Sequence, residues 1–171
     1  MAGFESLLQI YIFGSFESVM LAPLNKRQVH TIVSEVLEAQ ILDLKNVISS
    51  YQESANDDVK NTAGDKHEVN KAQMQWEVEK SNRQLANLIN MKKILIRINP
   101  EQEMEQVSTG SLIKTDQGFF FLSIGLGKVQ VNHEPVMCIS IVSPLAQALL
   151  SKKVGDMVDF NDRKYHIEHL Y

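Results

Sequence analysis

The chain has 171 residues, 44% of them hydrophobic and 22% charged, the composition of a globular protein with one ordinary domain, or a small domain plus an extended module. A formal net charge of -4 argues against broad binding to nucleic acid or acidic membranes, and leaves room for a local site that reads RNA or a metal. The single cysteine, Cys138, excludes an internal disulfide and fits a reducing, cytoplasmic setting.

Residues 1–24 read as a loosely ordered extension, or the first nineteen as lying upstream of a true start at Met20. The apolar run Leu7 to Phe13 is too short to span a bilayer, and no Lys or Arg precedes Lys26 to make a secretory signal. No membrane partner is expected.

From Asn25 the pattern turns helical. Asn25 can cap the helix, with Gln28 three residues on to close a capping box. Val29, Val33, Leu37, Ile41, Leu44, Ile48 and Tyr51 recur at gaps of four and three, the seam of a helical hairpin. Ser54 to Gly64 is polar and reads as the tip turn, with Asp57 and Asp58 solvated in it. A second helix follows, its seam formed by Met74, Val78, Leu85 and Leu88 and interrupted at Ser81; Trp76 lies off it. Lys92 and Lys93 suit the negative end of that helix. The arm is assigned to residues 25–97, and two helices of this length are expected to project.

Pro100 marks a change of period. Ser111 to Lys114, Phe119 to Ile124, Lys128 to Val131, Val136 to Val142, Met157 to Phe160 and Tyr165 to Leu170 read as strands, with a hairpin turn at Thr115-Asp116-Gln117-Gly118. Ser143 as N-cap and Pro144 in the first turn open one short helix. Residues 98–171 thus form an α+β domain, and the whole chain is α+β. Gly125-Leu126-Gly127 is a turn rather than a nucleotide loop. His166 and His169, three apart on a strand, should face opposite sides and so hold no metal together. Cys138, inside Val136-Met137-Cys138-Ile139, reads as a small buried hydrophobe rather than a nucleophile.

The stretch from Ile139 through Ser143-Pro144, Ala148-Leu149-Leu150, Lys152 and Gly155-Asp156 to Val158 closely resembles the C-terminal signature of the Gre-type (GreA/GreB) transcription elongation factors. Lys164 to Tyr171 looks like that family's closing strand, and Gly110-Ser111 like the opening of its sheet domain. Gly64-Asp65-Lys66-His67-Glu68 matches the Gly-Asp-x-x-Glu that the family carries at the tip of a coiled-coil arm. The Asn-Ala-Glu-Tyr that usually follows is here Val69-Asn70-Lys71-Ala72, without its acid and aromatic.

The resemblance implies an antiparallel helical hairpin followed by an FKBP-like antiparallel β-sheet domain with one short helix. It implies a monomer that docks on RNA polymerase, with Ser143 and Pro144 in the docking segment and the arm in the secondary channel. Asp65 and Glu68 would assist catalysis by sharing a Mg²⁺ with the polymerase, near the 3′ end of the nascent RNA, and so stimulate cleavage of backtracked RNA. No cofactor would be bound stably, and the chain alone would be no enzyme. Asp65 and Glu68 also fit a plain reading, an N-cap acid with an acid two residues into the helix beyond N1. Lys60, Lys66 and Lys71 flank the tip, as scattered surface charges or as a steer towards RNA phosphates. The second function is a non-cleaving regulator that occupies the channel. A third, an isomerase or chaperone built on the sheet domain, has fold analogy alone behind it.

Overall fold

The structure is a computed structural model that describes residues 24–58 and 66–171; at positions 54–58 and 66–71 it describes the backbone alone. Helices α1 (Lys26–Asp58) and α2 (Lys66–Ile96) come first. Strands β1 (Leu112–Thr115), β2 (Gly118–Ser123), β3 (Gly127–Val131) and β4 (Glu134–Ser140) follow, then helix α3 (Pro144–Leu149) and strands β5 (Met157–Phe160) and β6 (Arg163–Leu170). The chain is α+β, as expected.

The two long helices run antiparallel. His30 Nε2 donates to the Leu95 carbonyl at 3.0 Å, and Glu38, two turns further along α1, pairs with Lys92, earlier on α2. At 1.5 Å per residue their 33 and 31 residues make rods of about 50 and 46 Å. The seam follows the spacing: Val29, Val33, Leu37, Ile41 and Ile48 are buried, Leu44 and Tyr51 half-buried. Ser81 does not interrupt the facing seam. It is buried within it, a small side chain between the half-buried Val78 and Leu85.

Asn25 caps α1, its Oδ1 accepting the Arg27 N–H at 2.7 Å. Gln28 does not close the expected box. Its Oε1 accepts from Asn132 Nδ2 at 3.2 Å, because the turn between β3 and β4 lies beside the start of the helix. Asp57 and Asp58, assigned to a turn by composition, are the last residues of α1. Polar residues are tolerated in a fraying last turn, so composition sets the turn too early.

The six strands form one sheet in the order β3-β4-β2-β1-β6-β5. It departs from the expected antiparallel arrangement at one pair: β2 and β4 are parallel, in register from Phe119↔Val136 to Ser123↔Ser140. The cause is local. Residues 124–126 reverse the chain into β3, and the β3–β4 hairpin then returns β4 into the gap between β2 and β3. The β1–β2 turn is as read. Thr115 Oγ1 accepts the Gln117 N–H at 3.1 Å and donates to the Gly118 carbonyl at 3.0 Å.

Side chains alternate across a strand, so the sheet buries two faces. Leu112, Phe121, Val136 and Cys138 face the root of the arm and share one apolar cluster with Val29, Val33, Leu37, Ile41, Leu95 and Ile98. Ile113, Phe120, Leu122 and Ile167 face the other way, onto Ala146 and Leu149 of α3. Side chains of this size stabilise by about 1.5–3 kcal/mol each when fully buried.

The alternation breaks once. The β1–β6 register shifts between Lys114 and Thr115, which pair with His169 and Ile167. Glu168 is the extra residue, and Ile167 and Leu170, three apart, both pack in the α3 cluster. A spacing of three therefore no longer puts His166 and His169 on opposite faces. Among the described residues no group of three His, Cys, Asp or Glu side chains is placed to hold a metal.

Gly110 joins arm and sheet most tightly. Its φ is +89°, and a Cβ there would lie 2.8 Å from Ile98 Cγ2, at the exit of α2. Gly110→Ala should therefore cost about 2 kcal/mol or more, from left-handed backbone strain and overlap together. At this chain length that lowers the melting temperature by roughly 4–8 °C. In an Ile98→Ala background the same substitution should cost less, as a thermal-melt double-mutant cycle would show.

Candidate functional site

Of the two acids expected at the distal end of the arm, Glu68 alone lies among the described residues. Asp65 lies outside the described residues, as do Gly64 and Lys60. Glu68 is the third residue of α2, and its backbone is helical. Twenty-eight residues separate it from Ile96, so it lies about 42 Å along the helix from the sheet end. Lys66 and Lys71 fall on the same first turns, described as backbone only.

At the other end of the molecule, the segment entering α3 is exposed. Ser143 is extended (φ -71°, ψ 146°), and its Oγ accepts the Ala146 N–H at 3.3 Å, with Pro144 in the first turn. This is the cap that the sequence specifies, and here it is half-buried. Beside it Pro144 is exposed and Val142 is 78% exposed. Gln147 Nε2 donates to the Ile141 carbonyl at 2.5 Å and so ties the helix to its approach. Beyond α3, Gly155 (φ +93°) donates to the Ile167 carbonyl at 2.8 Å, and Asp156 Oδ2 accepts the Lys153 N–H at 2.8 Å. Val107 is bonded through both backbone groups to Lys152 and Ser151. The stretch from Ile139 to Val158 is thus a rigid strand, cap, helix, turn and strand, presenting Val142 and Pro144 outward.

A third feature had no signal in the sequence. Lys26, the first residue of α1, is buried, and its Nζ donates to the Gln102 carbonyl. Burial lowers its pKa, while the charges of Glu101 and Glu103 oppose that shift. Arg27 pairs with Glu101 at 2.5 Å, an exposed contact of little weight in stability. Lys26 and residues 101–103 border a cleft of about 520 Å³, lined also by Leu24, Met104 and Tyr171. Only the folded path of residues 99–104 across the start of α1 creates it, so no local pattern could have shown it.

Cys138 faces the arm root at 1% exposure, and burial pushes its thiol up to about 12. It has no nucleophilic role at neutral pH, since the thiolate is the reactive form. An exposed thiol near its ordinary value would react with a maleimide or disulfide reagent at pH 8. Cys138 should stay unlabelled in the folded protein and react fully once denaturant is added.

The Ser143 cap gives a second expectation. Ser143→Ala should cost about 1 kcal/mol, a fall in melting temperature of roughly 2–4 °C. Ser143→Asp should leave the melt unchanged, because Asp caps as well as Ser.

No helix among the described residues is long and apolar enough to cross a membrane. No protein-family profile and no curated protein matches the chain. Four chains among solved structures match it. One is the transcription factor Gfh1, at 17% identity over 81% of this chain and 92% of that one, with a TM-score of 0.32. The superposition is loose.

Proposed function

We propose that this chain is a Gre-like transcription elongation factor that docks on RNA polymerase by its sheet domain and passes its arm into the secondary channel. There Asp65 and Glu68 would help hold a Mg²⁺ beside the polymerase's own metal and stimulate hydrolysis of backtracked RNA. The carrying observation is the arm itself: two paired helices rooted in the sheet at one end, with Glu68 about 42 Å out along α2. An acid at that distance serves a site that lies beyond the reach of the folded domain. An isomerase or chaperone acting through the sheet alone has no use for such an arm.

The residue types suit the chemistry. Mg²⁺ is a hard cation, bound by one or two carboxylates together with phosphate oxygens and water. A second metal would activate the attacking water and stabilise the charge of an in-line displacement. A spacing of three would put both acids on one helix face and let them approach one ion. The remaining ligands belong to the polymerase and its RNA, which is why the chain alone is not an enzyme in this reading. The exposed Val142 and Pro144, with the half-buried Ser143 between them, form the segment that would meet the polymerase. Against cleavage stands Val69-Asn70-Lys71-Ala72, which lacks the family's acid and aromatic. It favours the second reading, a factor that occupies the channel without cutting.

A backtracked elongation complex incubated with the protein and Mg²⁺ tests both. Shortened RNA supports cleavage, binding without shortening supports the regulator, and absence of binding contradicts both. In the cleaving case Asp65→Asn should bind with unchanged affinity, since Asn caps a helix as well as Asp. As a weaker metal ligand it should lower the cleavage rate by at least about 10-fold, on the order of 1.4 kcal/mol.

A further inference from the structure

Trp76 is the chain's only tryptophan, and it lies 56% exposed on the arm. Its helix turns Met74, Val78, Ser81 and Leu85 towards α1, so Trp76 falls on the opposite, outer face. About 30 Å of helix separate it from Ile96 and the sheet. Lys80 Nζ, on the same helix, stands 5.0 Å from the ring centroid, and Glu77 pairs with Lys80 at 3.5 Å. Arg83, next along the same face, pairs with Glu79 at 3.7 Å. A large exposed aromatic ringed by polar groups has the anatomy of an interface anchor.

Charge selects the class of partner. Each cation beside the ring is matched by a glutamate, and the chain carries a net charge of -4. Such a patch offers little to a polyanion, whose binding depends on unpaired Lys and Arg. It complements a protein surface with an apolar pocket and charges of both signs at its rim. We infer that Trp76, flanked by Lys80, anchors the outer face of the arm in an apolar pocket of the protein wall that encloses it, the channel of RNA polymerase. This rests on the function proposed above, and it assigns the grip to the middle of the arm as well as to the docking domain.

The test is the affinity of the full-length protein for RNA polymerase core without nucleic acid. Trp76→Ala should weaken binding about 10-fold or more, Trp76→Phe should recover part of the loss, and Gln75→Ala, beside it on the helix, should change nothing. The exposed position predicts unchanged helix content by circular dichroism for all three. If the unsubstituted protein binds and Trp76→Ala binds equally well, the anchor is refuted and the proposed function stands. Absence of binding by the unsubstituted protein refutes both. Two other outcomes also refute the anchor: Trp76→Ala altering only affinity for a free single-stranded RNA, or altering only self-association in sedimentation.

Discussion

The structure depends on one apolar contact, the seating of the arm's root on a face of the sheet. Val29, Val33, Leu37 and Ile41 from α1 and Leu95 and Ile98 from the end of α2 close over Leu112, Phe121, Val136 and Cys138. Without it two helices of this length would have only each other, with a seam that is half-buried over most of α2. The same contact buries the sheet face that α3 does not cover, so neither part has a complete core alone. Gly110, pressed against Ile98, shows how closely the chain must pass at that junction.

Function follows from how this contact divides the molecule. At the root Val29, Leu95 and Ile98 are packed, Asn25 caps α1 and Lys26 is buried beneath residues 101–103. Further out, the described seam runs through Ile48 and Ser81, and Trp76 is exposed on the outer face. A rod fixed at one end transmits position: in the proposed function, docking of the sheet domain would set where Glu68 arrives. Proximity of this kind is the contribution expected of a protein that completes another enzyme's active site.

Much of this was legible in the residues. The seam from Val29 to Ile48, the Ser143 cap and the Thr115 to Gly118 turn each follow from a local rule, and each is present. What was not legible is non-local. The parallel pairing of β2 with β4 depends on where a hairpin returns, and the bulge at Glu168 on a register between distant strands. Gln28 looked like half of a capping box because its partner in the β3–β4 turn lies 104 residues away. The burial of Lys26 has no local signal either, because Gln102, whose carbonyl it meets, lies 76 residues away. As for the site, the sequence marks Asp65 and Glu68, while the structure contributes the distance from the root and the exposed segment around Pro144.

The most direct measurement is of where the arm's end goes. Cys138 is buried with its thiol largely protonated at neutral pH, so a cysteine introduced as Lys71→Cys, one turn from Glu68, can carry an iron chelate selectively. In a backtracked elongation complex, hydroxyl radicals generated there should cut the RNA near its 3′ end and the polymerase close to its catalytic metal. Cuts confined to the outer surface of the polymerase, or absent altogether, would contradict an arm that enters the channel.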